Sequence, residues 1–374
     1  MRLLLTGGGT AGHINPALAI AETVRKNDPH AEILFVGIKT GKEADLVPRE
    51  GYQIEYVESM GIPRRDFFKN PRRSCRAIWL ALTSPYQKNT VRILKDFRPD
   101  AVIGTGGYAC WPIMSAAARM GIPTALHESN ALPGMAICRL QKKVDRIWIN
   151  FEVTRQKLRT KKPIVCVGNP LRGGFGGLSR SEARARLCIP SDAIYILSFG
   201  GSLGAEELNR AVIDMMEPLS QNVGIYLLHG SGTRDYEACQ ALLEQRGLDN
   251  HPRLTVRDYI FDMPLQMTAA DLVISRAGAM TLSELASMGK ASILVPSPYV
   301  ADNHQFHNAK ALADVGAALL VEEKDLSGGG LTAAVESLLQ APEKRTEMER
   351  HICELSKPHA NREIYEQLLE MIRS

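Results

Sequence analysis

The stretch TGGGTAGHINPA, residues 6–17, sets a histidine, His13, at the end of a glycine-rich turn that follows the apolar run Leu3–Leu5. Strand, turn of small residues and helix start together aim backbone N–H groups at an anion. An imidazole beside them, with an ordinary pKa near 6.5, can accept a proton at neutral pH. Gly7, Gly9 and Gly12 also satisfy the dinucleotide fingerprint G-x-G-x-x-G. That reading requires an acid ending the second strand, about 20 residues on, to hold the ribose hydroxyls. The strand instead ends Phe35-Val36-Gly37-Ile38-Lys39, and Glu32 begins it, at the wrong edge of a sheet. A nicotinamide is therefore not the expected ligand.

Two further patterns mislead. GGSLG, residues 200–204, matches the nucleophile elbow G-x-S-x-G, and Asp258, Asp262, His304 and His307 lie downstream in triad order. A turn whose amides bind phosphate needs only the glycines and the following helix start. GIKTGK, residues 37–42, is one residue short of a P-loop and has Glu43 where Ser or Thr would coordinate magnesium. Three other segments combine glycines with polar groups at expected strand ends: GTGGYACWP (104–112), HESNALPG (127–134) and SRAGAMTLSEL (275–285). In the last, Thr281, Leu282, Ser283 and Glu284 form the first helical turn. Its amides favour a phosphate, and Glu284 either accepts hydrogen bonds from a ribose diol or caps the helix.

These loops need a scaffold, and the chain supplies one. Short β-rich runs alternate with helical stretches: Leu3–Leu5, Ile33–Val36, Ala101–Ile103, Pro123–Leu126, Arg146–Ile149 and Ile164–Val167, then Tyr195–Phe199, Ile225–Leu228, Leu254–Val256, Leu272–Ile274, Ile293–Val295 and Ala318–Val321. Alternation of this kind predicts an α/β fold with parallel sheets covered by helices, one Rossmann-like unit per half. At about 150 residues per domain, 374 residues suggest two domains. GNPLRGGFGG, residues 168–177, with five glycines in ten residues, is the expected hinge. Asn361–Ser374 reads as a terminal helix with apolar Ile364, Leu368, Leu369 and Ile372.

Composition narrows the class. The chain is 45% hydrophobic and 23% charged, ordinary for a globular protein. Its seven cysteines are scattered without a C-x-x-C pair, which argues against structural zinc or a disulfide framework and fits a reducing compartment. No secretory signal is expected, since Arg2 and Leu3–Leu5 run straight into glycines. Residues 101–118 are uncharged, but Gly104, Gly106, Gly107 and Pro112 make them strand, turn and helix, not a membrane span. A net charge of +4 is too small to imply nucleic acid. Locally, residues 64–95 hold nine Lys or Arg against one Asp, interleaved with Phe67, Phe68, Ile78, Trp79, Leu80, Leu82 and Tyr86. Such a segment suits a bilayer interface, with Arg72, Arg73, Arg76, Trp79, Leu82 and Trp111 as a peripheral anchor on an anionic surface. A solvated basic face over an ordinary core helix is the competing reading.

Taken in order, GGGTAGHINPALAIAE, GTGGY, HESNALPG, VGNPLR, FGGSLGAEELN, SRAGAMTLSEL and DNHQFHNA make the chain resemble the MurG family of bacterial glycosyltransferases, from residue 3 to about 315. The resemblance implies a GT-B fold: two Rossmann-like domains facing across a cleft, the first comprising residues 1–165 and 359–374, the second 166–358, with the terminal helix returning to the first. It implies transfer of N-acetylglucosamine from UDP-N-acetylglucosamine to the muramoyl sugar of undecaprenyl-linked lipid I, yielding lipid II. This would happen at the cytoplasmic face of the cell membrane, without a cofactor, and beside cell-wall synthesis and division proteins.

Carried over by position, Ile260 binds uracil through backbone, Glu284 the ribose, and Ser202 and Thr281 the diphosphate. Ala279, Met280, Leu282 and Ser283 lend contacts from the same turn, and Gln305 and Asn130 read the sugar. Thr10, Ala11, Gly12 and Arg172 complete the donor site. Gly8, Gly9, Gly106, Gly107 and Tyr108 form the loops for the acceptor pyrophosphate. Inversion from an α-linked donor to a β-linked product fits one displacement, which needs a base. His13 is one candidate and Glu128 another, while His13 could equally serve only to hold the loop. No D-x-D sequence occurs, so no metal bound in that way is expected. The chain departs from the common family pattern at Ala11 and at Trp111 in GGYACWP. A UDP-N-acetylglucosamine 2-epimerase, another UDP-sugar transferase or a non-catalytic sugar-nucleotide sensor are the alternatives.

Overall fold

The computed structural model describes residues 1–60, 75–77, 79–80, 83–173, 177–201 and 204–373. It divides into two compact units, Met1–Arg172 with Lys357–Ser374, and Gly173–Ser356.

The first unit is built on β1 (Arg2–Thr6), β2 (Glu32–Gly37), β3 (Gln53–Tyr56), β4 (Ala101–Gly104), β5 (Thr124–Glu128), β6 (Arg146–Ile149) and β7 (Ile164–Cys166). They form one parallel sheet in the order β3-β2-β1-β4-β5-β6-β7. Leu3, Leu4 and Leu5 are all buried, as expected when helices cover both faces and no strand residue can point to water. The second unit repeats the plan with β8 (Ile194–Phe199), β9 (Ile225–Gly230), β10 (Leu254–Arg257), β11 (Leu272–Ser275), β12 (Ser292–Leu294) and β13 (Leu319–Leu320), in the order β10-β9-β8-β11-β12-β13. In each sheet the order reverses once, between β1 and β4 and between β8 and β11. The loops leaving the carboxyl ends of these four strands flank the crevices where such sheets bind ligands. Two Rossmann-like units of this kind constitute the GT-B class of α/β fold.

Expected strands and observed strands coincide except at β3, whose sequence QIEY carries one aliphatic residue. It is an edge strand, and its side chains are only half-buried or exposed. The division between units lies at Arg172, not 165. β7 pairs with β6, Val167 is buried in the first unit's core, and the Leu171 amide donates to Asn361 Oδ1 at 2.9 Å, so the chain stays with the first sheet until the glycines begin. It returns at Lys357. The final helix, Ala360–Arg373, buries Ile364, Leu368 and Met371 against the 17-residue helix Ala11–Asn27 and its neighbours. Leu369 and Ile372 are only half-buried.

Candidate functional site

At the first switch point, three loops interlock. The turn after β1 carries Gly7–Thr10, and the helix Ala11–Asn27 begins immediately behind it, with Thr10, Ala11 and Gly12 exposed and His13 half-buried. His13 Nδ1 lies 3.2 Å from the Thr105 carbonyl oxygen, and the Thr105 hydroxyl donates to the His13 carbonyl at 2.6 Å. A carbonyl can only accept, so Nδ1 carries the hydrogen and the neutral ring holds its lone pair on Nε2, the tautomer a general base requires. Gly106 (φ +108°) and Gly107 (φ +79°) wrap this ring. A Cβ on Gly106 would stand 2.6 Å from His13 Nδ1, and one on Gly107 would stand 2.1 Å from the Gly8 carbonyl oxygen. Only glycine allows so close an approach in that backbone conformation.

The amides of Gly8 and Gly9, expected to meet the acceptor pyrophosphate, are committed inside the protein. Gly8 N–H donates to the Gly106 carbonyl at 3.3 Å, and Gly9 N–H to Glu43 Oε2 at 3.0 Å. Gly106 N–H points to Cys110 Sγ at 3.1 Å. Glu43 was visible only as the residue that spoils a P-loop pattern. In the fold its side chain turns back from the helix Glu43–Arg49 and is 1% exposed. Oε1 accepts from the Ile38 amide at 3.0 Å, so the carboxylate ties the loop after β2 to the loop after β1. It occupies the region where an acid ending β2 would meet a dinucleotide ribose. Tyr108 packs its ring over Gly9, and burial raises its phenol above the usual range. Glu32, at the opposite end of β2, is exposed and pairs with Arg2 at 3.4 Å.

At the end of β5, Glu128 is buried and accepts three hydrogen bonds from the loop that follows. The Asn130 amide and side-chain nitrogen donate to Oε1 at 2.9 and 3.0 Å, and the Gly134 amide to Oε2 at 2.7 Å. Burial raises its pKa, and these donors act in the opposite direction. The geometry is that of a loop brace which aims Asn130.

At the second switch point, the helix Ala279–Ser287 starts at Gly278, and the first-turn amides of Met280 and Thr281 point out of its N-terminal end. Leu282 is buried, and the Ser283 hydroxyl donates to the Ala279 carbonyl at 3.2 Å. Glu284, one turn in, makes no side-chain hydrogen bond among the described residues. Burial alone pushes its carboxyl up to about 7. Ile260 is buried against Gly230, where a Cβ would meet its side chain at 2.9 Å, which leaves its backbone as the polar surface. Gln305, on the helix His304–Ala313, accepts from the Ser297 amide through Oε1 at 2.9 Å, which orients its NH2 group. Ser202 lies outside the described residues.

The comparisons with known proteins bear on the whole chain. Residues 3–149 match the glycosyltransferase family 28 N-terminal domain and residues 195–366 its C-terminal domain. A UDP-N-acetylglucosamine–N-acetylmuramyl-(pentapeptide) pyrophosphoryl-undecaprenol N-acetylglucosamine transferase of Acetivibrio thermocellus is 39% identical over 374 residues, covering 100% of this chain and 99% of that protein. The chain belongs to the MurG family. A transferase of the same description from Desulforamulus reducens is 38% identical over 362 residues, 96% of each chain. The crystal structure of Acinetobacter baumannii MurG superposes with a TM-score of 0.76 at 28% identity, covering 99% of both chains.

Two groups of expected MurG-family positions stand differently in the structure. Arg172, expected at the donor, is held by a bidentate ion pair to Glu50 at 2.6 and 2.8 Å and by Glu22 at 3.3 Å, all in the first unit. The guanidinium holds the Glu50 carboxyl below the usual carboxylate range. Of the expected membrane anchor, Arg72, Arg73 and Leu82 lie outside the described residues. Arg76 is exposed and Trp79 is 57% exposed, while Ala77 and Leu80, each next to one of them in sequence, are buried. Trp111 has neighbours within the first unit. It is half-buried against the first unit's core, with Lys143 Nζ 4.6 Å from its ring centroid, at the start of the helix Cys110–Arg119. Among the described residues no helix is long and apolar enough to cross a membrane.

Proposed function

We propose that this chain transfers N-acetylglucosamine from UDP-N-acetylglucosamine to undecaprenyl-linked lipid I, producing lipid II for peptidoglycan, in a single inverting displacement. The observation that carries the reading is Glu284, a part-buried carboxylate with no side-chain hydrogen bond among the described residues, beside the Met280 and Thr281 amides of a helix start. That pairing suits a ribose diol followed by a diphosphate. The same amides stabilise the charge that grows on UDP as the glycosidic bond breaks.

His13 Nε2 removes the proton from the acceptor hydroxyl, and the Thr105 carbonyl holds the ring in the tautomer that can do so. Glu128 serves as a positioning residue for Asn130, not as the base. The exposed N-terminus of the Ala11–Asn27 helix, at Ala11 and Gly12, supports the acceptor pyrophosphate in place of the committed amides of Gly8 and Gly9. Gln305 and Asn130 read sugar hydroxyls, Ile260 presents backbone to the uracil, and Ser202 adds to the diphosphate contacts.

The chain works as a peripheral protein at the cytoplasmic face of the cell membrane, with the basic segment that includes Arg72, Arg73, Arg76, Trp79 and Leu82 against anionic lipid. That product ties it to cell wall biogenesis, cell shape and division, with proteins of those processes as partners. Incubation with labelled UDP-N-acetylglucosamine and a lipid I analogue tests the reaction. Label in a lipid-linked disaccharide supports it; free epimerised sugar would indicate an epimerase, and binding without turnover a sensor. Sedimentation with anionic vesicles tests the surface, and retention after charge reversal at Arg72, Arg73 and Arg76 would overturn that part.

A further inference from the structure

Glu43 stands outside the mechanism above, yet it is the most tightly enclosed carboxylate near the first switch point. Three glycines make room for it: a Cβ would come within 2.4 Å of its side chain on Gly8, 2.4 Å on Gly37 and 2.3 Å on Gly41. Its two oxygens accept from the Gly9 and Ile38 amides, which belong to different loops. Gly9 (φ +85°) is the last residue before Thr10, the helix N-cap, and His13 follows in the first turn. On its far side the same loop is gripped by Gly106 and Gly107, which also enclose the His13 ring. A buried carboxylate with two backbone donors is a directional brace, because losing its charge or length leaves at least one buried amide unsatisfied.

We propose that Glu43 is a positioning residue for the acceptor half of the transfer: its carboxylate holds the Gly8–Thr10 turn so that His13 meets the acceptor hydroxyl. It fills the turn from within, so the ligand is received by the helix start behind the turn and not by the turn's own amides. This inference rests on the transferase reading above. It gives a role to the GIKTGKE segment, whose likeness to a P-loop is otherwise idle.

The test uses the full chain with varied lipid I analogue and varied UDP-N-acetylglucosamine. Glu43→Gln keeps size but offers an NH2 group to an amide donor. It is expected to lower kcat at least about tenfold, while the KM for UDP-N-acetylglucosamine and the Kd for UDP stay within about twofold. Glu43→Asp restores charge but not reach, and falls between. A folded Glu43→Gln protein with wild-type kcat overturns the proposal, as does an equal loss of UDP affinity, which would signal general damage. If Glu43→Gln does not fold, Gly37→Ala applies. It presses on the Glu43 stem without changing any charge, and is expected to lower kcat in the same selective way; wild-type kinetics there overturn the proposal too. A wild-type chain that transfers no sugar would instead refute the transferase reading itself.

Discussion

The turn after β1 and the helix start after β11 occupy matching places beside the two switch points, but their polar groups are in opposite states. In the first unit nearly every group is already matched by protein: Gly8 to Gly106, Gly9 to Glu43, His13 to Thr105 and, one strand over, Asn130 to Glu128. In the second unit the Glu284 carboxylate stands without such a partner among the described residues. Glu128 and Glu284 make the contrast sharpest. Both carboxyls are raised by burial, yet one is braced by three donors and the other has no side-chain hydrogen bond among the described residues. On the proposed reading, the braced groups of the first unit serve proton transfer, where angle and tautomer matter, and unsatisfied polarity in the second serves binding.

The largest effect that could break this contrast is at His13. His13→Ala is expected to lower kcat by about 10²–10⁴-fold while calorimetric UDP binding stays unchanged. Unaltered turnover would remove the chemical role of the first unit. Next, Glu284→Ala is expected to weaken UDP affinity by about 10–150-fold, the value of losing about 1.5–3 kcal/mol of charge-assisted hydrogen bonding, with kcat at saturation reduced far less. A loss confined to kcat would reverse the assignment.

The pH dependence sharpens it further. On the proposed reading the ribose diol donates to the ionised form of Glu284, so binding favours that form and lowers a carboxyl now near 7. Titrating UDP affinity from pH 8 downward should therefore show weakening below about 7, by up to about tenfold per unit, and Glu284→Gln should flatten the curve. A wild-type curve flat across that window would argue against an ionised Glu284 contact. The smallest effect is expected at Glu128. Glu128→Gln leaves a buried amide facing donors and should cost about 1–3 kcal/mol of first-unit stability, read as a lower melting temperature, with the shape of the kcat–pH profile retained. A changed profile would return Glu128 to the list of candidate bases.

Much of this was legible in the chain. Alternating apolar runs and glycine-bearing turns specify strand, turn and helix locally, because buried parallel strands must be apolar on both faces and close turns must lack a Cβ. The pattern located every strand but β3, whose half-exposed edge position asks little of its side chains. It also marked the site loops, His13 and Glu284. What the sequence could not fix was which polar groups would satisfy one another. Glu43 reaches Gly9 across 34 residues, Arg172 reaches Glu50 across 122, and Asn361 binds Leu171 across 190. Those pairings follow from strand order and helix docking, which bring distant backbone and side chains within hydrogen-bond range. Local residue types thus determined the fold class and the loops that bear chemistry, while tertiary structure decided which of their charges are bound within the protein and which remain for a ligand.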